Sequence, residues 1–289
     1  MLLTVGDLYE EILVRVDAAV RPGHSESVRS ARVRGGSAAN VAAIDAELGG
    51  RSRFVGQVGD DAIGRTLVGD LERRGVEVAV RHAGGTGVSI VLVGGGRRTR
   101  LVDRGASARL TRIDVSLLEG VQQLYLPAVV VTEEPLAGAV EHLLAAAVDR
   151  RIPVTLGALS VDEIDAYGAD SFLSLVAAVG AETVIAERAE HAALGLGPRQ
   201  AVPGAGVTVV TAGPRPTLVL TADTDRSVPV RPVERIRDRT GVGDAFTAGY
   251  LASRRRGADP VSAVDQGHRV AARCLARLGP TVLEVGPAR

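Results

Sequence analysis

The sequence predicts an α/β fold in which helices cover both faces of a mostly parallel central sheet. This gives a three-layer α/β/α core, with a small antiparallel sheet beside it. The first observation is that short Val/Leu/Ile runs alternate with segments of helical periodicity, an order that builds parallel sheets. The second is that two other segments alternate apolar and polar residues with a period of two, as strands do when one face of a sheet meets water.

The core elements are predicted from apolar runs and helix signals. Buried strands are expected at 124–132, 152–156, 183–186 and 207–211, where Val, Leu and Ile dominate. A helix is expected over 135–150, because Pro135 occupies a first-turn position. A second helix is expected over 259–278, which opens with Asp259-Pro260.

A hairpin and a small second sheet complete the prediction. Two Val/Thr/Leu runs within 206–223 flank Gly213-Pro214-Arg215-Pro216, and this pattern predicts a hairpin. The period-two segments are 12–34 and 78–102. Neither is long enough to fold alone, so we expect both to form one small sheet, called the lid, within a single domain spanning 1–289.

Composition excludes several classes of function. The chain of 289 residues carries 34 basic and 34 acidic residues, and this balance argues against a nucleic-acid partner. The sequence has no run of about 18 apolar residues, so no membrane partner is expected. The one cysteine, Cys274, cannot form an internal disulfide, which favours a cytoplasmic location. The sequence contains no lysine, and this excludes Schiff-base and P-loop lysine chemistry.

The first chemical motif is Gly35-Gly36-Ser37-Ala38-Ala39-Asn40, which a helical run follows. Small residues let the start of a helix approach a ligand closely, and the Asn40 amide offers donor and acceptor groups to hydroxyls. The motif is therefore a candidate site for a hydroxylated ligand. The alternative is a tight strand-to-helix turn in which the glycines serve packing alone.

The second motif runs from Asp238 through Gly241-Val242-Gly243-Asp244 into a helical segment. The two glycines permit a turn whose N–H groups point into one concavity at a helix N-terminus, which suits a phosphoryl group in transfer. Asp244 at the mouth of this turn can accept the proton of an attacking hydroxyl. The alternative is that Asp244 is a helix N-cap after a glycine turn.

Together, the two motifs resemble the signatures of PfkB-type carbohydrate kinases of the ribokinase superfamily. Gly35, Gly36, Ala38 and Asn40 match the N-terminal signature, residues 55–64 match the pattern that follows it, and residues 238–251 match the C-terminal signature. The resemblance covers nearly the whole chain. It implies a ribokinase-like fold and an ATP-dependent kinase that phosphorylates a hydroxyl of a small sugar or sugar derivative.

The resemblance also implies roles for the matching residues. Asp244 corresponds to the catalytic base, and the anion hole is formed by Gly241, Val242 and Gly243. The residues implied in sugar binding are Asp7, Gly35, Gly36 and Asn40. The residues implied in nucleotide binding are Thr211, Gly213 and Gly279. ATP and Mg²⁺ are the implied cofactors, and a monovalent cation is a further option. The lid is expected to cover the sugar and to form a homodimer contact.

Departures from the family pattern fall mainly on the nucleotide side. Glu187 stands where asparagine is usual, whereas Glu190 is retained and is expected to hold Mg²⁺ through water. The added Glu187 carboxylate either binds the metal or repels the triphosphate. Pro216 lacks the N–H of the usual glycine, and His268 replaces a common asparagine near the nucleotide. These departures favour an alternative function, that of a sugar- or nucleoside-binding sensor with weak or lost kinase activity.

Substrate identity rests on a weaker resemblance. Arg100 and Arg104 precede Ser107-Ala108 in an arrangement similar to that of 2-keto-3-deoxygluconate kinases. Arg104 is thus a candidate to bind substrate, because arginine can hold a sugar-acid carboxylate through two bonds. The alternative is a solvated lid edge in a protein whose basic residues are all arginine. Ribose, fructose, a keto-deoxy acid and a nucleoside all stay open as substrates.

Overall fold

The computed structural model describes residues 1–16, 20, 23–25, 27–94 and 97–283, which contain a nine-stranded and a four-stranded sheet. Parts of the predicted lid segments, 17–19, 21–22, 26 and 95–96, lie outside the described residues, as do 284–289 of the predicted single domain. Among the described helices, none has the length and apolar character that a membrane crossing requires.

The nine-stranded sheet is the middle layer of the core. Its strands in spatial order are β13 (Asp225–Val228), β12 (Arg215–Leu220), β11 (Val207–Ala212), β10 (Thr183–Glu187), β9 (Val154–Gly157), β8 (Gln123–Pro127), β1 (Leu2–Val5), β4 (Ser52–Val58) and β5 (Glu77–His82). Neighbours run parallel except at one edge, where β12 is antiparallel to both β11 and β13. Every residue of β1 is buried, which is typical of a strand covered on both faces.

Helices cover both faces of this sheet. They are α1 (Ser37–Glu47), α2 (Ala62–Arg73), α3 (Val129–Thr132), α4 (Leu136–Asp149), α5 (Val161–Tyr167), α6 (Ala169–Val179), α7 (Arg188–Ala193), α8 (Val242–Arg255) and α9 (Pro260–Leu275). One apolar cluster packs α4 and α6 against the sheet and includes Leu3, and another packs α8 and α9 against it and includes Leu2. Adjacent strand residues face opposite sides, so the two clusters mark the two faces and confirm the predicted three-layer α/β/α core.

The four-stranded sheet is the predicted lid. Its strands in spatial order are β3 (Arg29–Gly35), β2 (Tyr9–Arg15), β6 (Thr86–Gly94) and β7 (Arg97–Gly105). Strands β2 and β3 pair antiparallel, as do β6 and β7, which agrees with the prediction. The central pair, β2 and β6, is parallel. These two strands come from distant parts of the chain, so no tight turn between them dictates an antiparallel pairing.

The second lid segment begins later than predicted. Residues 78–82 belong to β5, which pairs in parallel with β4 of the large sheet rather than with a lid strand. Helix α2 connects these two strands, and strand–helix–strand units of this kind place both strands in one sheet. Strand β5 is an edge strand with one wet face, so its period-two pattern matches that of a lid strand.

The predicted strand at 124–132 is wrong in its second half. Strand β8 ends at Pro127, which has no N–H to extend the ladder, and the helical turn α3 follows. Val130 and Val131 are buried in that turn, so the apolar run reflects burial rather than strand structure. The other three predicted strands and both predicted helices are confirmed, with helix bounds shorter by one to three residues at either end.

The predicted hairpin is confirmed, with a shorter turn than expected. Strands β11 and β12 leave only Gly213 and Pro214 between them, and Gly213 has a positive φ of 61°. Pro216 is therefore the second residue of β12 and does not lie in the turn. The ladder shifts register between Val210 and Ala212, next to this proline. Proline in a sheet is tolerated at such irregularities because it has no ladder N–H to contribute.

Close packing between α8 and α9 positions the N-terminus of α8. A Cβ on Gly249 would lie 2.7 Å from Val270 Cγ2, and one on Gly267 would lie 2.8 Å from the Phe246 ring. Only glycine permits such an approach, because real Cβ contacts are longer. Helix α8 also contacts α1, which starts with the first chemical motif. The fold therefore brings the starts of α1 and α8 side by side.

Candidate active site

Helices α1 and α8 join the two motifs around the carboxylate of Asp244. The Ser37 hydroxyl donates to Asp244 Oδ1 at 2.6 Å, and Asn40 Nδ2 donates to Asp244 Oδ2 at 2.8 Å. The Tyr125 hydroxyl lies 3.1 Å from Ser37 Oγ, and Tyr125 must be the donor because the single Ser37 proton is already directed at Asp244. The side chain of Asp244 is thus held in one orientation against the first turn of α1.

The surroundings of Asp244 suit a proton acceptor. Burial raises the pKa of the Asp244 carboxyl above its ordinary value, and the bonds from Ser37 and Asn40 and the charges of Arg34 and Arg100 oppose that rise. The alternative prediction, that Asp244 is an N-cap, is wrong. Gly241 occupies the N-cap position of α8, and Asp244 lies within the first helical turn.

The glycine pair of the first motif lets α1 start directly against the end of β1. Gly36 has a φ of +102°, and a Cβ there would lie 2.0 Å from the Asp7 carbonyl oxygen. A Cβ on Gly35 would lie 2.2 Å from the Tyr9 ring. These contacts explain both glycines by packing, as the alternative prediction proposed. Their contact with a substrate stays a prediction.

The second motif forms a glycine turn that a neighbouring loop supports. Gly241 has a φ of +73°, and its carbonyl accepts from Ala245 N at 2.8 Å as α8 begins. Asp238 Oδ1 accepts from Thr240 N and Oγ1 at 3.1 and 3.0 Å, while its Oδ2 accepts from Gly279 N at 2.8 Å. Asp238 therefore ties the turn to the loop at 278–281. The structure places the predicted nucleotide residue Gly279 in that loop, against the lid residue Val33.

On the predicted substrate side, Asp7 is paired with Arg104. Arg104 Nε donates to Asp7 Oδ2 and Nη2 donates to Oδ1, each at 2.8 Å. Arg104 Nη1 also donates to Glu133. The guanidinium is thus held between two carboxylates. Arg104 is therefore not the solvated lid edge of the alternative prediction, and its contact with a sugar acid stays a prediction.

The inner face of the lid adds a carboxylate, that of Glu11, which the sequence did not single out. Glu11 on β2 is buried, and its carboxylate accepts from Ser89 Oγ at 3.3 Å and lies 3.6 Å from Arg98 and 3.8 Å from Arg100. Burial raises the pKa of the Glu11 carboxyl, against the effect of the two arginines. Arg100 also donates to the Tyr9 hydroxyl. The lid therefore carries one buried carboxylate beside two half-exposed arginines, a cluster whose net charge is positive.

The predicted nucleotide residues meet at the ends of β10 and β11. Glu187 and Thr211 are direct register partners across this pair of strands, and Gly213 follows in the hairpin turn. Glu190 Oε2 accepts from Glu187 N at 2.7 Å, and burial raises the Glu190 pKa to about 7. Glu187 itself is exposed. Four of the predicted residues are thus brought together at one edge of the core.

His268 differs from these residues in its contacts. It lies on α9, where Nε2 is 2.9 Å from Thr217 Oγ1 and the ring lies 5.5 Å from that of Phe246. Burial lowers the pKa of the His268 imidazole. These contacts explain His268 as a packing residue between α8, α9 and β12, and its nucleotide role stays a prediction.

Within the described part of the chain, no three His, Cys, Asp or Glu side chains cluster closely enough to form a metal site. The Glu190 carboxylate contacts the Glu187 backbone N–H, but among the described residues no third such ligand joins these two glutamates. Carboxylate oxygens are ligands that Mg²⁺ accepts, and this ion usually keeps several waters when it binds with substrate phosphates. The two glutamates therefore fit a water-mediated Mg²⁺ site and not a closed metal cage.

Three residues at the site were missed as functional candidates: Ser37, Tyr125 and Arg34. Ser37 lies within the first motif, and its position next to the glycine pair was the available signal. Tyr125 lies in an apolar strand and Arg34 near the end of a lid strand, and only the folded structure brings Tyr125 to Ser37 and Arg34 to Asn40.

Comparison with known proteins assigns the family. Residues 7–284 match the model of the pfkB family carbohydrate kinases. An adenosine kinase from Saccharomyces cerevisiae is 26% identical over 281 residues, which cover 86% of this chain and 79% of that protein. The crystal structure of an adenosine kinase from Sinorhizobium meliloti superposes with a TM-score of 0.86 at 21% identity, covering 97% of this chain and 95% of that one.

A third relative shares the fold at lower similarity. The Arabidopsis thaliana ribokinase complexed with ribose and ATP has a TM-score of 0.78 at 19% identity, covering 96% of this chain and 93% of that one. These structural matches confirm the predicted ribokinase-like fold, and the family match extends over both motifs. The chain belongs to the pfkB family of carbohydrate kinases, enzymes that transfer a phosphoryl group to an alcohol hydroxyl.

Proposed function

We propose that this protein is an ATP-dependent kinase that transfers the γ-phosphoryl group to a hydroxyl of a small sugar or sugar derivative, nucleosides included. The observation that carries the proposal is the Asp244 carboxylate, held by Ser37 and Asn40 in the first turn of α8. The relatives support it, because one is an adenosine kinase and another is a ribokinase solved with ribose and ATP.

In this proposal Asp244 is the general base. Each of its oxygens accepts one bond from α1, which leaves lone pairs for the acceptor hydroxyl. The hydroxyl proton passes to Asp244 while the hydroxyl oxygen bonds to the γ-phosphorus and the bond to the bridging oxygen breaks, so that ADP leaves with the electron pair. A pKa raised by burial makes Asp244 a stronger base than a surface aspartate.

The start of α8 would stabilise the charge on the moving phosphoryl group. First-turn N–H groups have no acceptor within the helix, and the helix dipole is positive at this end. A Cβ on Gly243 would meet nothing within 4 Å, so the space beside this residue is open to an incoming group. We assign the anion hole to Gly241, Val242 and Gly243 on this basis. Asp7 and Asn40 would hold the acceptor sugar on the opposite wall.

The nucleotide would bind across the ends of β10 and β11. Thr211 and Gly213 lie there, and a Cβ on Gly213 would meet nothing within 4 Å, which leaves room beside the turn. Gly279 and His268 complete the proposed set. Glu190 would act on Mg²⁺ through water, with the exposed Glu187 beside it. When bound, the ion neutralises charge on the phosphates.

A homodimer formed through the lid is part of the proposal. Val93 on β6 and Leu101 and Val102 on β7 are 41%, 58% and 43% exposed on the lid sheet. Leu101 lies on the opposite face of the sheet from Val93 and Val102, so apolar side chains are exposed on both faces near this edge, which suits a partner that packs across the edge. A cytoplasmic location also stays a prediction, based on Cys274, which is buried and free.

A coupled assay of ADP release across sugars, sugar acids and nucleosides tests the proposal. We expect Mg²⁺-dependent turnover with at least one acceptor, and we expect Asp244→Asn to reduce it by about 10³-fold or more, since general base catalysis and electrostatic stabilisation both depend on this residue. The second candidate is a sensor that binds its ligand without phosphorylating it, favoured by the exposed Glu187 carboxylate beside the proposed phosphate position. Binding of an acceptor without turnover, unchanged by Asp244→Asn, would replace the kinase proposal with the sensor.

A further inference from the structure

Arg34 is the last arginine of β3 and lies at the base of the lid, where its side chain is only 3% exposed. Three of its nitrogens have separate acceptors. Nε donates to Asn40 Oδ1 at 3.1 Å, Nη1 donates to Asp70 Oδ2 at 2.5 Å, and Nη2 donates to the Pro280 carbonyl at 3.0 Å. A buried guanidinium with three acceptors on three separate elements is fixed in position.

The contact with Asn40 determines which way the Asn40 amide faces. A guanidinium has donors only, so the atom of Asn40 next to Arg34 must be the oxygen. The NH₂ group is then directed to Asp244 Oδ2, to which it donates at 2.8 Å. With the amide reversed, Asn40 would present its oxygen to the Asp244 carboxylate and its NH₂ group to Arg34. Both contacts would then be repulsive.

The contact with Pro280 extends this effect to the anion-hole turn. Pro280 lies so close to Gly241 that a Cβ on Gly241 would be 2.4 Å from the Pro280 Cβ. The neighbouring Gly279 N donates to Asp238, which also caps Thr240 in the same turn. Arg34 therefore touches one residue on each side of Asp244: Asn40 on α1, and Pro280 beside the start of α8.

We propose that Arg34 is a positioning residue for the phosphoryl transfer, which fixes the Asn40 amide and the loop at 278–281 so that Asp244 is held against the start of α8. This inference rests on the proposed function. Asp70 anchors the guanidinium from α2, and it is one step further from the reacting atoms. Arg34 also lies one residue before the end of lid strand β3, so its bond to Asn40 connects this end of the lid to the proposed general base Asp244.

The groups that influence the titration of Asp244 come from several elements: Arg34 on β3, Tyr9 and Glu11 on β2, Arg100 on β7, Tyr125 on β8 and Cys274 on α9. Arg34→Lys keeps a positive charge but cannot form all three bonds. A change in the titration of Asp244 in this variant would therefore reflect the loss of positioning bonds more than a loss of charge.

Asn40 is the only asparagine in the sequence, so asparagine-selective ¹⁵N labelling gives one side-chain NH₂ pair. We expect its protons to exchange slowly with solvent and their shifts to report the titration of Asp244. In Arg34→Lys we expect exchange at least about tenfold faster and a higher titration midpoint, because the amide is no longer held towards Asp244. In Asp70→Asn we expect the exchange rate and the titration midpoint to change in the same direction but by a smaller amount. Thermal unfolding identifies any variant that fails to fold. If Arg34→Lys does not fold, the Asp70→Asn variant provides the test instead.

The matched control is Arg32→Lys, two residues earlier on the same strand, where the arginine is 67% exposed and pairs with Glu10. We expect it to leave the amide signals and turnover unchanged. With an acceptor that the wild-type protein phosphorylates, Arg34→Lys should lower kcat by about 10²-fold with a smaller change in KM. Amide signals and kcat in Arg34→Lys that match the control would overturn the inference. Absence of wild-type turnover would instead overturn the proposed function, and the amide signals would still decide the role of Arg34 at Asn40.

Discussion

Arg104 binds Asp7 through two parallel bonds, Nε to Oδ2 and Nη2 to Oδ1, each 2.8 Å long. The two groups come from different sheets, since Asp7 follows β1 of the core and Arg104 lies in β7 of the lid. Their side chains are only 12% and 15% exposed. Paired, mostly buried charges of this kind hold each other in place, and each is left uncompensated when the other is removed.

Arg104→Met therefore tests whether Arg104 serves Asp7 or a sugar acid. We expect the KM for a neutral sugar or nucleoside to rise about tenfold or more, with a smaller change in kcat, because Asp7 loses the partner that orients it. Steady-state kinetics measure this change in KM. The control is Arg65→Met, which removes an arginine whose ion pair with Asp60 is exposed to solvent. A preferred sugar-acid substrate whose binding alone is lost in Arg104→Met would contradict this account.

Ser37→Ala tests the support of the general base. Removing the hydroxyl takes one of two donors from Asp244, and hydrogen bonds to charged groups contribute about 1.5–3 kcal/mol. We expect kcat/KM to fall about tenfold to a hundredfold, and the acidic limb of its pH profile to shift to higher pH. Ser171→Ala, at an exposed position of α6, is the control. An unchanged acidic limb in Ser37→Ala would show that this hydroxyl does not act on Asp244.

Gly36→Ala and Gly213→Ala test the steric account of the two turns. At Gly36 the φ is +102° and a Cβ would overlap the Asp7 carbonyl, so we expect a loss of about 3 kcal/mol or more in unfolding free energy. At Gly213 the φ is +61° but nothing lies within 4 Å, so only about 1 kcal/mol is expected. Urea unfolding of both variants gives the comparison. Equal losses would mean that Gly36 is not constrained by the contact with Asp7.

Asp244→Asn is expected to stabilise the fold while it removes activity. Because burial raises the pKa of Asp244, the folded state favours the protonated form, and the ionised carboxylate lowers stability above that pKa. The stabilisation from Asp244→Asn should thus grow as the pH rises and disappear as the pH falls towards about 3.9, the ordinary aspartate value. Thermal unfolding between pH 4 and pH 8 measures it. A variant less stable than wild type at pH 7 would contradict this sign.

The two chemical motifs could be located from the sequence because each is contiguous. Glycine turns followed by helical runs are local patterns, and Asp244, Asn40 and the glycines all lie within them. The fold class was also predictable, since buried strands and helices alternate along most of the chain. Residues 78–82 were misassigned because an edge strand with one wet face alternates just as a lid strand does.

The partners of the motif residues could not be predicted from the sequence. Arg34 reaches Asn40, Ser37 reaches Asp244 and Tyr125 reaches Ser37 only when β3, α1, α8 and β8 come together, and no spacing along the chain encodes those contacts. The pairing of Arg104 with Asp7 likewise joins two sheets across 97 residues. A charged side chain has the same sequence signal whether it is solvated or buried against a carboxylate, so its role follows from the fold alone.

The most direct test of the account is the single-turnover rate of phosphoryl transfer in wild-type protein and Asp244→Asn, measured with an acceptor that both bind. The account predicts a rate lower by about 10³-fold or more in the variant, with the acceptor dissociation constant changed only severalfold, because Asp244 accepts the proton in the reaction and is not needed to bind the sugar. A rate within tenfold of wild type would contradict the assignment of Asp244 as the general base.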